Sequence, residues 1–151
     1  MKIVLQRVKR AEVRVDGQVV GQIGRGILLL AAVEKGDTDA QLKKAADKCV
    51  NMRIFEDENG KLNLSALELG LEVLAVSNFT VAGRTQKGRR PSFDRAESPE
   101  IAKDKFERFL EFLGEYGLRI ETGVFQAVME VELVNDGPVT LIIDIPPKGG
   151  L

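Results

Sequence analysis

Hydrophobic and polar positions in this chain repeat mostly with the two-residue period of strands. Residues 2–9 read as a strand, and Glu12-Val13-Arg14-Val15 alternates as a second stretch. Asp16-Gly17 is a two-residue turn signal, and Gln18 to Ile23 follows as the other arm of a hairpin. Gly26 to Val33 is almost continuously apolar, and its length and bounding glycines predict a strand buried on both faces.

The period changes at Thr38. Leu42, Ala45, Ala46, Cys49 and Val50 share one helical face, and Thr38 with Gln41 forms a capping-box pair, so a helix is predicted over 38–52. Arg53-Ile54-Phe55 is a short extended piece and Asp57-Glu58-Asn59-Gly60 a turn. Glu72 to Phe79 is the next strand. Residues 82–97 carry glycine, proline and charge without periodicity and read as a long loop, a feature that is often functional in a compact domain. Ser98-Pro99-Glu100 opens a second helix, with Ala102, Phe106, Phe109 and Leu113 on its apolar face and Gly117 at its end. Val128 to Val134 alternates, with Glu130 and Glu132 opposite Met129, Val131 and Leu133. Asn135-Asp136-Gly137-Pro138 reads as a turn, Val139 to Ile145 as the returning strand and Pro146 to Gly150 as a tail. These elements predict a single α/β domain over 1–151, with layered sheets (β/β) and two amphipathic helices packed on one face.

A chain of 151 residues that is 44% hydrophobic can bury one core, yet no apolar run approaches the roughly 18 residues of a membrane span. The first residues enter a strand pattern with no signal-peptide character, so a cytoplasmic location is expected. A net charge of -1 argues against binding nucleic acid through the charge of the whole protein. Locally, Arg84, Lys87, Arg89, Arg90 and Arg95 stand against one acid, Asp94. A solvated loop and a phosphate-contacting loop are both open readings of that run.

The chain has no histidine, which excludes a Ser-His-Asp triad, a Cys-His dyad, a histidine base and imidazole-bound zinc. The lone Cys49 forms no intrachain disulfide and reads as a small core residue. Hydrolysis would rest on hydroxyls, carboxylates, lysines, backbone amides and groups of the substrate. That favours an activated substrate such as an ester. Ser77-Asn78-Phe79-Thr80, at the carboxyl end of an apolar strand, is either a strand terminus or the wall of a ligand crevice. Asn135-Asp136-Gly137-Pro138 is by itself a good turn.

From Met1 to about Ile145 the chain resembles the bacterial and eukaryotic D-aminoacyl-tRNA deacylase family. The resemblance is carried by several ordered segments. They are Ile3-Val4-Leu5-Gln6-Arg7-Val8, Arg53-Ile54-Phe55-Glu56-Asp57-Glu58 with Gly60-Lys61-Leu62-Asn63-Leu64-Ser65, and Ser77-Asn78-Phe79-Thr80-Val81. Lys87-Gly88-Arg89-Arg90-Pro91-Ser92-Phe93 and Asn135-Asp136-Gly137-Pro138-Val139-Thr140 complete them.

The resemblance implies an enzyme that hydrolyses the ester of D-aminoacyl-tRNA, and of mischarged glycyl-tRNA, as a proofreading step. It implies a homodimer with its sites at the subunit interface, tRNA as partner, and no cofactor, metal, DNA or membrane. Ser77, Asn78, Phe79 and Thr80 would be catalytic. Gly137 and Pro138, joined by a cis bond and supplied to the other subunit's site, would exclude L-amino acids. Arg7, Phe125, Ala127, Met129 and Asn135 would bind substrate, and Arg84, Lys87, Arg89 and Arg90 would bind tRNA. The implied chemistry leans on the ribose hydroxyl beside the ester and on backbone amides, with Thr80 as the rival nucleophile.

Three segments depart from the family. Asn78 replaces a glutamine, Gln126-Ala127-Val128-Met129 replaces Gly-Ala-Asp-Met, and Arg95-Ala96-Glu97 replaces a more apolar alanine pair. The alternatives are a non-enzymatic tRNA-binding module using the basic loop, an editing module for L-amino acids and a structural dimer with a vestigial site.

Overall fold

The computed structural model describes residues 1–147. Pro146 and Pro147 follow the last strand, and the rest of the expected tail, Lys148-Gly149-Gly150, lies outside the described residues. The strands are β1 (Lys2–Val15), β2 (Gln18–Ile23), β3 (Gly26–Ala32), β4 (Phe55–Glu56), β5 (Leu62–Leu64), β6 (Glu72–Ser77), β7 (Ile120–Thr122) and β8 (Glu130–Asp144). The helices are α1 (Asp39–Asn51), α2 (Ala66–Leu69) and α3 (Pro99–Gly114), with a 3-10 turn over Phe79–Ala82.

A single six-stranded mixed sheet runs β2-β1-β3-β6-β7, with β8 paired to β1; β4 and β5 form a separate ribbon. The two strands expected in 2–15 are one long strand. Its first half, Lys2 to Val8, pairs antiparallel with β3 and its second half, Ala11 to Val15, with β2. The β3–β6 and β6–β7 pairs are parallel. The sheet curls until its ends nearly meet. The Gln22 N–H of β2 donates to Glu121 Oε1 of β7 at 3.3 Å, and a Cβ on Gly21 would overlap the Thr122 carbonyl oxygen. Glycine is what permits that approach.

The curl divides the core by strand parity. Ile27, Leu29 and Ala31 of β3 join Leu42, Ala46, Cys49, Phe109 and Leu113 beneath the helices. Leu28 packs instead with Val8, Val13, Leu74 and Val76 inside the curl. This is why β3 reads as apolar without alternation. The predicted helices form: Gln41 Oε1 accepts from the Thr38 N–H at 2.7 Å, and Pro99 is the first residue of α3, behind Ser98, which holds the cap position without a side-chain cap hydrogen bond. Gly117, expected to end α3, lies three residues past Gly114 at φ 81°. Burial pushes the Cys49 thiol up to about 12, in keeping with a core role.

The turn expected at Asn135–Pro138 is not a hairpin. β8 is one strand, and both of its halves pair antiparallel with β1 along the same edge. Gln6 faces Thr140 and Val8 faces Asn135, so residues 136–139 bulge out opposite Arg7 alone. Asn135 closes the bulge: its Oδ1 accepts from the Val139 N–H and its Nδ2 donates to the Val139 carbonyl, both at 3.1 Å. Turn-forming residues suit a bulge as well as a hairpin, and only long-range pairing with β1 separates the two.

Three smaller elements also differ. The strand expected to reach Phe79 stops at Ser77, because the backbone enters the 3-10 turn. β7 and the four-residue α2 were not expected. α2 does carry a readable signal: the capping box of Ser65 and Glu68, and Gly70 in the left-handed region as its end cap.

Candidate active site

A cavity of about 710 Å³ opens where the parallel strands β3 and β6 end. Leu30, Val33, Val76 and Met129 give it an apolar floor, and the start of α3 and the 125–131 segment close its sides. Crevices beyond the carboxyl ends of parallel strands are the usual ligand position in α/β sheets. Ser77, Asn78 and Phe79 line it together with Phe125, Ala127 and Met129. Thr80 does not line it and is exposed on the turn beyond.

Asn78 organises that turn. Its N–H donates to the Ala31 carbonyl at 2.8 Å, which fixes the chain where β6 ends. Its side-chain Oδ1 accepts from the Thr80 N–H at 3.2 Å and from the Thr80 hydroxyl. The Thr80 hydroxyl is therefore a committed donor, held by an amide with no basic character. At the start of a helical turn the first N–H groups lack intrahelical partners. Asn78 takes that of Thr80, which leaves the Phe79 N–H beside the cavity wall. The Phe79 ring is 57% exposed and meets Phe93 edge-on at 5.3 Å. A Cβ on Gly83 would lie 2.9 Å from the Phe93 ring and from the Thr80 carbonyl, so glycine keeps this corner tight.

Arg7, Asn135, Gly137 and Pro138 gather elsewhere, at the β8 bulge, and none of them lines the cavity of their own chain. Arg7 is buried. Its Nη1 donates to the Ile54 carbonyl at 2.7 Å and its Nε to the Asp136 carbonyl at 2.9 Å. Asp136 Oδ2 lies 3.6 Å from the same Nε. The Gly137–Pro138 peptide is cis, and both residues are exposed. Asn135, expected to touch substrate, spends its amide on Val139 and on the Thr140 hydroxyl.

Arg84, Lys87, Arg89 and Arg90 stand on an exposed excursion closed by mutual backbone bonds between Arg84 and Ser92, at 2.7 and 2.8 Å. The expected loop is therefore a hairpin-like projection, and its Phe93 reaches back to the cavity. The lining also includes residues not picked out as site residues from sequence: Lys35, Glu97, Ser98 and Gln126. Glu97 and Gln126 had a signal, since both are departures from the family pattern. Gln126 adopts φ 64°, a left-handed conformation that the sequence does not announce.

A family model described as D-Tyr-tRNA(Tyr) deacylase matches residues 4–144. Among curated proteins, a D-aminoacyl-tRNA deacylase from Carboxydothermus hydrogenoformans is 54% identical over 145 residues, covering 96% of this chain and 100% of that protein. One from Geobacter metallireducens is 54% identical over 150 residues, with 99% of each chain covered. A solved structure titled "c-Myc DNA Unwinding Element Binding Protein" superposes with a TM-score of 0.91 at 41% identity, covering 97% of this chain and 99% of that one. Another, titled "Structural Analysis of a probable eukaryotic D-amino acid tRNA deacylase", has a TM-score of 0.84 at 19% identity over 95% and 98% of the two chains, and speaks for the fold alone.

Proposed function

The chain belongs to the D-Tyr-tRNA(Tyr) deacylase family, and from that premise we propose how it hydrolyses the ester of D-aminoacyl-tRNA. The aminoacyl-adenosine end enters the cavity beside Ser77–Phe79. Water adds to the ester carbonyl carbon, the Phe79 N–H stabilises the developing oxyanion, and the bond to the ribose oxygen breaks with that oxygen taking a proton. The adjacent ribose hydroxyl orients the water and relays the proton. The observation that carries this reading is the Asn78–Thr80 bond: the Thr80 hydroxyl donates to an amide oxygen, and among the described residues it has no hydrogen bond to a basic group.

Selectivity comes from Gly137 and Pro138 of a second copy of the chain. Two observations support this. These residues are exposed on the bulge and lie outside their own chain's cavity. The neighbouring surface of β8 also carries open apolar side chains, with Ile142 68% exposed and Leu141 and Val134 also open among exposed polar residues. That surface suits an interface between copies. Backbone carbonyls at Gly137–Pro138 would then clash with an L side chain, while D-aminoacyl and glycyl esters fit. The basic excursion at Arg84–Arg90 contacts the tRNA phosphates.

The test is to offer D-tyrosyl-, L-tyrosyl- and glycyl-tRNA, with chelator present. Cleavage of the D-tyrosyl and glycyl esters is expected, with the L-tyrosyl ester spared. L-tyrosyl cleavage as fast as D-tyrosyl would sink the chirality argument, and loss of turnover with chelator would sink the metal-free chemistry. Equal affinity for charged and uncharged tRNA without cleavage would favour a non-enzymatic tRNA-binding module.

A further inference from the structure

Met1 is fully buried, and its ammonium meets three acceptors. It donates to Asp37 Oδ1 and to the Ile145 carbonyl, both at 2.7 Å, and lies 3.3 Å from Glu34 Oε1. The Asp37 side chain is closed to solvent and that of Glu34 nearly so. An ammonium carries three N–H groups, so each donor has an acceptor within reach. One buried cation thus sits with two buried carboxylates, and no step of the ester chemistry uses any of the three.

Short backbone steps join this cluster to the cavity. Asp37 Oδ2 accepts from the Glu34 N–H at 2.8 Å, and the Glu34 carbonyl accepts from the Asp37 N–H at 3.1 Å, which closes the turn after β3. Val33 and Lys35, on either side of Glu34, line the cavity. The same turn holds the segment that leads into α3. The Lys35 N–H donates to the Arg95 carbonyl at 2.9 Å and the Glu97 N–H to the Val33 carbonyl at 3.0 Å. Ala96 and Glu97 of that segment line the cavity as well. Met1 also ties down the chain just past β8, since the Ile145 N–H donates back to the Met1 carbonyl at 2.8 Å.

We propose that the Met1 amino group is a positioning group: as a free ammonium acting through Asp37 it sets the turn over 33–37, and with it one wall of the cavity, so acylation of that amine disables the protein. An acyl group removes the charge and leaves one N–H for three acceptors. Asp37 and Glu34 are then two carboxylates without their cation in a dehydrated site, the costly state of a broken buried ion cluster. The acyl oxygen needs a donor of its own where solvent does not reach. A chain made on formylmethionine therefore depends on a hydrolytic deformylation, in which water cleaves the formyl amide to formate and the free amine. Only the activity readout of this proposal rests on the deacylase reading above.

The experiment compares the free-amine protein with the same chain made while a deformylase inhibitor keeps the formyl group on, each form identified by intact mass. The folding equilibrium constant of the formylated form should be lower on the order of a hundredfold or more, the scale of a buried ion pair broken at one partner. At a temperature where both forms are folded, its kcat/KM for D-tyrosyl-tRNA should fall about tenfold or more, as expected for a displaced wall. Unfolding it in urea, removing the formyl group with deformylase and refolding should restore both values, and refolding alone should not. In Asp37→Asn, formylation should cost little further, a non-additivity that independent roles would not show. Formylated protein as stable and as active as the free amine overturns the proposal, as does recovery by refolding alone. A loss of stability with kcat/KM of the folded protein unchanged would make Met1 a structural tie only and overturn the positioning role. A stable free-amine protein that cleaves no D-tyrosyl ester counts against the deacylase reading instead, and the stability comparison then decides the proposal.

Discussion

Arg7 and Gly137 face each other across the β1–β8 pair, and a Cβ built on Gly137 would lie 2.6 Å from Arg7 Nη2. A long side chain end would ordinarily yield to such a contact. Here the guanidinium is buried and bound to the carbonyls of Ile54 and Asp136, so it has nowhere to go. The Gly137 φ of +126° adds a second demand for glycine. The bulge is therefore specified from beneath by an arginine that substrate need not touch.

Gly137→Ala is expected to destabilise the protein by on the order of 1–3 kcal/mol, since both the backbone conformation and the Arg7 contact oppose a side chain. It should also narrow the preference for D over L substrates, because the exposed tip moves. Urea unfolding measures the first effect, and paired D- and L-tyrosyl-tRNA assays the second. A variant as stable and as selective as wild type would show that the bulge is not held in this way.

Thr80→Val is expected to keep turnover within about tenfold of wild type, because the lost hydroxyl donates to Asn78 and is not an activated nucleophile. A substrate whose terminal ribose lacks the hydroxyl beside the ester should instead lose about a hundredfold or more, the scale of a lost proton-transfer group. Single-turnover rates on matched substrates check both. Abolition of turnover by Thr80→Val with substrate binding intact would restore Thr80 as the nucleophile.

Removing charge at Arg89 or Arg90 should raise KM for D-tyrosyl-tRNA and leave D-tyrosyl-adenosine cleavage untouched, since the excursion stands outside the cavity. The slope of log affinity against log salt should fall by about one for each phosphate contact removed. Equal effects on the tRNA and adenosine substrates would mean that the excursion shapes the cavity instead.

Glu72 ties the seam of the curled sheet. The Gly24 N–H donates to it at 2.7 Å and Arg119 at 2.8 Å, and these bonds, in that order, hold its carboxyl below the ordinary glutamate value. A carboxyl with a depressed folded pKa adds stability above its unfolded pKa of about 4.3 and loses it as pH falls through the lower folded value. Glu72→Gln should therefore cost about 0.5–1 kcal/mol at neutral pH, a modest figure because the pair is partly solvated. The gap to wild type should close in acid. Thermal melts from pH 7 to about pH 3 follow it.

Much of the fold is legible residue by residue. The face of α1 from Leu42 to Val50, its Thr38–Gln41 cap and the Ser98-Pro99 start of α3 are local features, each set by residues within two to three helical turns. Ser65, Glu68 and Gly70 announced α2 equally well, but a helix of four residues has too short an apolar pattern to detect. The β8 bulge was legible only in part. Asn135 to Pro138 reads as a turn because a bulge and a hairpin use the same residues. What separates them is that Gln6 and Val8, two residues apart on β1, hold Thr140 and Asn135 as partners.

By itself, then, the sequence determined the chemistry that is possible: no imidazole, no pair of cysteines, and ordered segments that carry the family resemblance. These are matters of residue identity and spacing. Only the tertiary structure decided which of those segments share a site. It brought Ser77–Phe79 and Phe125–Met129 to one cavity, set Gly137–Pro138 apart from it on a bulge above Arg7, and turned Glu97 into its wall. The physical reason is that strand pairing joins residues far apart in the chain, through backbone hydrogen bonds that any side chain permits. Local patterns therefore fix which face a residue shows, while the register between distant strands fixes what it meets.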